Sequence, residues 1–172
     1  MSIDEILNDK SVKPKEKTET LSRLVLDESI TIKELIDFAK VSKDSPKATC
    51  IEALEYATKI NSSIATLDCL KFVSDTLTEK APRVKWESAK VVGNIAHLFP
   101  TKLDIAIKNL LTNTEHTGTV VRWSAAFALG EIIKIKQKQT QELIPAIKAI
   151  CEREEKNSIK KIYLAALKKT EK

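Results

Sequence analysis

A helix signature recurs in this chain at a spacing of 37 residues, and few folds are open to a sequence built that way. It reads Val84-Lys85-Trp86-Glu87-Ser88-Ala89-Lys90-Val91-Val92-Gly93. It returns as Val121-Arg122-Trp123-Ser124-Ala125-Ala126-Phe127-Ala128-Leu129-Gly130. Trp, Ala and Gly fall at matching places. An amphipathic unit repeating at this period cannot bury its apolar stripe alone, so neighbouring copies must stack to make a shared core. The expected architecture is therefore a short α-solenoid rather than a shell around one enclosed pocket.

Composition agrees with an all-α reading. Glycine occurs 3 times and proline 5 times in 172 residues, too few for a chain rich in tight turns. Hydrophobic residues make up 42%, which argues against global disorder. No apolar run approaches the length of a membrane span, so no membrane insertion is expected. The start, Met1-Ser2-Ile3-Asp4-Glu5, is acidic at once and lacks a signal-peptide core. Cys50, Cys69 and Cys151 are odd in number, and their spacings of 19 and 82 match no zinc pattern. A reducing, cytoplasmic setting follows as the expectation, with Cys50 and Cys69, which sit among apolar helix positions, as small hydrophobes.

Helix starts are legible along the chain. Thr31-Ile32-Lys33-Glu34 and Thr101-Lys102-Leu103-Asp104 have capping-box form. Ser45-Pro46 and Ala81-Pro82 place proline at a helix start, and Thr119, Thr140 and Ser158 are further candidate caps. Apolar residues at three- and four-residue spacing between these points predict helix pairs: 32–42 with 46–60, 64–78 with 82–98, 102–112 with 119–135, and 141–153 with 158–169. An N-terminal pair, 3–8 with 14–27, has a thinner pattern, because its first helix offers only Ile3, Ile6 and Leu7. About five antiparallel pairs should form one helical-repeat domain over 1–172, with 1–30 resting on the weakest pattern. Ala53, Ala89, Ala126 and Leu164 fall in register in the second helices, followed three residues later by Tyr56, Val92, Leu129 and Leu167. Small residues in the first set should let helices approach, and larger ones in the second should fill the layer between pairs.

The run Val121-Arg122-Trp123-Ser124-Ala125-Ala126-Phe127-Ala128-Leu129-Gly130-Glu131-Ile132 resembles the second helix of a HEAT repeat, and Asn109-Leu110-Leu111-Thr112-Asn113 resembles the end of its first helix. Asn113 stands where the family more often has Asp. The copy at Val84–Gly93 is looser, with Lys85 for Arg and only Ala89 from the Ala pair. Ile159-Lys160-Lys161-Ile162-Tyr163-Leu164-Ala165-Ala166-Leu167 lacks the Gly, and the stretch from Ala48 to Ala57 diverges most. The resemblance spans about 31–169. It implies a curved surface that holds other proteins, as adaptors and scaffolds of the family do. A minority of similar folds bind nucleic acid, including helical-repeat DNA glycosylases.

Four residues stand out as partner-binding candidates: Lys85, Trp86, Arg122 and Trp123. Stacking should line Lys85, Arg122 and Lys160 into a ladder able to meet acidic side chains or phosphates. The structural alternative pairs each cation with a nearby acid, among Asp75, Glu79 and Glu115, since a cation at a helix start is opposed by the dipole. Trp86 and Trp123 follow the ladder, and either anchor a peptide or fill space between repeats. The expected partner is a protein offering acidic and apolar groups. Residues 134–172 carry 11 Lys or Arg against 5 Glu, so nucleic acid is the alternative partner, with Lys160 and Lys161 as candidate anion-binding residues. An enzyme of the glycosylase kind would need a carboxylate beside an aromatic cleft. Asp104, Glu87 and Glu131 are available, but Ser124 replaces Glu87 in the next repeat, so no catalytic site is expected. His97 and His116 are isolated, so neither a metal nor a cofactor site is expected.

Overall fold

Eleven α-helices and two 3-10 turns, with no strand, make up the computed structural model, which describes residues 1–171. The helices are α1 (Ile3–Asn8), α2 (Pro14–Leu26), α3 (Ile32–Lys40), α4 (Asp44–Ile60), α5 (Leu67–Thr76), α6 (Pro82–Ile95), α7 (Asp104–Asn113), α8 (Thr119–Ile133), α9 (Lys138–Gln141), α10 (Ile144–Arg153) and α11 (Asn157–Thr170). They pair as α1/α2, α3/α4, α5/α6, α7/α8 and α10/α11. The second helices stack directly as a row, α2–α4–α6–α8–α11, and do so more closely than the first helices. Closer approach on that side makes the row the inner layer of the stack. Buried residues from Ile6 to Leu167 form one continuous core.

Local chemistry explains most of the helix starts. Thr31 Oγ1 accepts from the Glu34 amide at 3.0 Å while Glu34 accepts from the Thr31 amide, a reciprocal cap on α3. Ser2 and Glu5 do the same for α1, which is anchored by buried Ile6 despite its short apolar pattern. Pro82 opens α6, where a missing amide hydrogen costs nothing.

Other predicted starts shift, each for a visible reason. The 101–104 box does not form. A turn from the Lys102 amide to the Phe99 carbonyl carries the chain past Thr101, Leu103 is buried at the cap position, and α7 begins at Asp104. Lys43 rather than Ser45 caps α4, Gly118 precedes Thr119, and Lys156 precedes Asn157 and Ser158. Thr140 lies inside the additional helix α9. Its hydroxyl is turned to the Ile135 and Gln137 carbonyls, tying down the link between α8 and α10.

The repeat register holds through three pairs and departs at the fourth. Ala53, Ala89 and Ala126 are fully buried, whereas Leu164 is 57% exposed. The face of α11 turned to α8 carries Ile162 and Ala166, which flank Gly130. Leu164 lies two residues from each, on the opposite side of the helix, where no described helix packs. Gly93 and Gly130 do mark close approaches. A Cβ on Gly93 would overlap the Phe127 ring, 2.8 Å from Cδ2, and one on Gly130 would come within 3.1 Å of Ala166 Cβ.

Candidate partner-binding groove

The inner faces of α4, α6 and α8 enclose a trough of about 550 Å³. Its apolar surface is Tyr56, Ile60, Trp123 and Phe127. Trp123 and Phe127, four residues apart on α8, stack with centroids 6.1 Å apart and planes within 9°. Glycine at 93 is what lets the Phe127 ring lie down against α6. Trp123 stays 38% exposed and Ile60 73% exposed, a large apolar area for the surface of a helical stack.

Charge surrounds this floor. Lys59 and Lys90 line the trough with Glu55, and Asn94 donates to the Glu55 carbonyl and to Thr58 Oγ1, fixing α6 to α4. Through Lys59, Ile60 and Asn94 the trough opens into a second hollow of about 530 Å³ with His97, Glu131 and Lys134. Lys134 then leads to a cleft of about 390 Å³ between the ends of α8 and α11. Among the described residues, that cleft is lined by Lys134, Lys136, Lys138 and Lys169 and by no carboxylate. The groove thus runs from an aromatic floor to a basic end.

Beneath the trough lies a buried polar seam. Glu52 on α4 accepts the Thr18 hydroxyl of α2 at 2.6 Å and has Arg83 Nη2 at 3.7 Å. Glu87 on α6 faces it, only 1% exposed. Lys90 Nζ reaches Glu87 Oε1 at 3.2 Å, while Oε2 meets no ordinary donor. Burial and the hydrogen bond with Glu52 push the Glu87 carboxyl up to about 7, against the pull of Lys90. Burial pushes Glu52 the other way from its net shift. The Glu87 and Thr18 hydrogen bonds and the Arg83 and Lys90 charges outweigh it and hold Glu52 below the usual carboxylate range. When the pair holds a proton, the opposed shifts put it on Glu87, whose Oε2 can then donate to Glu52.

The four partner-binding candidates from the sequence do not form one surface. Lys85 Nζ donates to the Leu77 carbonyl at 3.1 Å, at the end of α5. Arg122 makes two bonds to Glu154, at 3.1 and 3.3 Å, and two more to the His116 and Thr117 carbonyls. Lys160 Nζ reaches the Glu152 carbonyl at 3.4 Å. Lys85 and Lys160 thus serve the C-terminal ends of their own pairs' first helices, where free carbonyls favour positive charge, while Arg122 ties the loop after α7 to Glu154 at the end of α10. Trp86 is half-buried and does not line the trough, Trp123 does, and Lys161 is exposed. Sequence reasoning did not single out Tyr56, Lys59, Lys90 or Asn94 as binding residues. The signal was available in the shared inner face of Tyr56–Lys59–Ile60, Lys90–Asn94–His97 and Trp123–Phe127–Glu131–Lys134, one stripe per stacked helix.

Other candidates are placed as follows. Asp104 is exposed at the start of α7, and Glu131 pairs with Lys134 at 2.9 Å. His97 Nε2 lies 3.4 Å from Ser62 Oγ, and His116 Nδ1 accepts from the Gly118 amide at 2.8 Å. Among the described residues, no group of three or more His, Cys, Asp or Glu could hold a metal ion, and no helix is long and apolar enough to cross a membrane.

No family model matches the sequence, and no curated protein matches it. Solved structures do match its shape. An engineered protein superposes over 98% of this chain and 78% of its own, with a TM-score of 0.73 and 17% identity. A designed armadillo repeat protein in complex with the peptide (KR)4 gives a TM-score of 0.71 at 15% identity, covering 95% of this chain and 78% of its own. The complex of CpcE and CpcF of phycocyanin lyase from Nostoc sp. PCC7120 gives 0.65 at 17% identity, covering 95% and 94%. At such identities the likeness speaks to fold. The chain has an armadillo/HEAT-like helical-repeat fold, a broader class than the HEAT repeat that its sequence resembles.

Proposed function

We propose that this chain is a noncatalytic module that captures a protein partner along its inner groove. The partner is an extended segment with an apolar anchor and acidic neighbours. The observation that carries this reading is the exposed Trp123–Phe127 stack on the floor of the trough, because aromatic anchors dominate binding where they can be fully desolvated. The anchor would bury against Tyr56, Trp123 and Phe127. Its acidic neighbours would meet Lys59, which has no ion-pair partner among the described residues, and then Lys136, Lys138 and Lys169 in the basic cleft. A designed armadillo repeat protein of similar fold is bound to a basic peptide. The lysines here favour the opposite charge. The one strongly perturbed carboxyl, Glu87, is sealed beneath the trough, which favours a structural role over a catalytic one. Three buried cysteines without a disulfide suit a reducing compartment such as the cytoplasm.

The test uses a short synthetic peptide with one tryptophan among aspartates and glutamates, fluorescein-labelled, with binding followed by anisotropy. Trp123→Ala should weaken binding about tenfold or more, since hot-spot truncations cost upwards of about 2 kcal/mol. Lys59→Glu, a change at an exposed position that leaves the core untouched, should weaken it as well. Both variants binding like wild type would remove the trough as the site.

The basic cleft also favours a second reading, binding of nucleic acid through Lys134, Lys136, Lys138 and Lys169. Phosphate contacts release counterions, so duplex affinity would fall steeply with salt. Labelled duplex titrated at low and high salt separates the two. The Lys136→Glu, Lys138→Glu double variant should lose duplex binding if this reading holds.

A further inference from the structure

Lys90 belongs to two sites at once. It lines the trough, yet its Nζ is bonded to Glu87 Oε1, on a carboxyl buried in the seam between α4 and α6. We propose that capture of the acidic segment is proton-linked: Glu87 takes up a proton as the partner's carboxylates draw on Lys90, so mild acid tightens binding. This inference rests on the groove reading above and adds its regulation.

Facing Glu87 are Glu52 and the Tyr56 phenol from α4 and Lys90 from its own helix; Glu55 acts on Tyr56 and Lys90, and Arg83 and the Thr18 hydroxyl of α2 reach the pair by way of Glu52. Two carboxyl groups face each other, a pairing that needs a proton on one of them, and among the described residues Lys90 is the sole cation bonded to Glu87. The ionised form of Glu87 depends on Lys90. The protonated form depends on Glu52, to which it donates. A negative group arriving in the trough competes for Lys90 and adds its own repulsion. Both effects favour the protonated form.

Linkage makes the relation reciprocal. If the partner promotes proton uptake, protons promote the partner. The carboxyl sits near 7 in the free protein, so the coupling falls in the neutral range. The partner's own aspartates and glutamates are ionised throughout that range and add no slope. Affinity for the acidic peptide should therefore rise about three- to tenfold as pH falls from about 8.5 to about 6, as expected for one proton coupled across a few ångströms of mixed dielectric.

His97 is the other group in the groove able to take up a proton, so the experiment must separate the two. The same fluorescein-labelled acidic peptide is titrated at both pH values into wild type, Glu87→Gln and His97→Gln. Proton uptake is read independently by calorimetry in two buffers of different ionisation enthalpy. Glutamine keeps an amide donor toward Glu52, and circular dichroism reports whether the fold persists. The expected result is a pH slope and proton uptake in wild type and His97→Gln, and neither in Glu87→Gln. Binding without a slope, a slope retained in Glu87→Gln, or a slope lost in His97→Gln would overturn the proton link and leave the groove reading standing. No binding at either pH would overturn the groove reading itself.

Discussion

Glu87→Gln is expected to stabilise the protein above neutral pH by about 2–3 kcal/mol and to have almost no effect near pH 4.5. The carboxyl titrates near its ordinary value, 4.5, when unfolded and near 7 when folded. Between those limits the folded state holds a proton that the unfolded state has released. Stability from this group is therefore fully present below about pH 4.5, is lost as pH rises to about 7, and stays lost above. At roughly 1.4 kcal/mol per tenfold change in ionisation constant, the loss approaches about 3 kcal/mol. Glutamine does not titrate and keeps its donor. Urea denaturation across the pH range should show the wild-type and variant curves converging in acid and separating toward alkali. Parallel curves would mean that Glu87 titrates alike in the folded and unfolded states.

Leu129→Ala is expected to cost about 2–5 kcal/mol, and Leu164→Ala less than about 0.5 kcal/mol. Leu129 is fully buried in α8, where truncation removes apolar contact and leaves a cavity. Leu164 stands on the uncovered side of α11. Denaturant midpoints for the two variants decide the point, and equal losses would contradict the stacking of α11 on α8 through Ile162 and Ala166.

That contrast shows what the sequence could and could not disclose. The five pairs were legible because period and apolar spacing are properties of neighbouring residues, so Ala53, Ala89 and Ala126 could be aligned and are buried alike. Leu164 aligned with them equally well. Its exposure follows from which face of α11 packs on α8, and that face is set by Ile162 and Ala166 against Gly130 rather than by the repeat register. The helix starts behaved similarly. Thr31 with Glu34 forms its reciprocal cap locally, but the Thr101 box yields to the burial of Leu103, a tertiary demand.

The groove was less legible than the fold. Arg122 stood out because it repeats, and the repeated cation serves packing: Lys85 and Lys160 meet first-helix carbonyls, and Arg122 joins its own loop to Glu154 of the next pair. Repetition in a solenoid first reports packing. The binding floor instead draws single residues from three helices, Tyr56, Lys90 and Phe127, which become neighbours only through the inter-repeat offset. Gly93 was the visible clue, since a glycine inside a helix marks a close approach, and its partner proved to be Phe127. The Glu52–Glu87 seam was hidden for the same reason: the two carboxyls sit 35 residues apart in sequence and meet only across α4 and α6.

The chain has two tryptophans, and the account assigns them different fates, which makes their indole N–H signals the most direct probe of its central claim. In a nitrogen-15 correlation spectrum titrated with the acidic tryptophan peptide, the Trp123 indole signal should shift progressively and saturate, while that of Trp86, outside the trough, should barely move. A saturable shift at Trp86 with Trp123 unmoved would place the partner elsewhere on the molecule and contradict the inner groove as its binding surface.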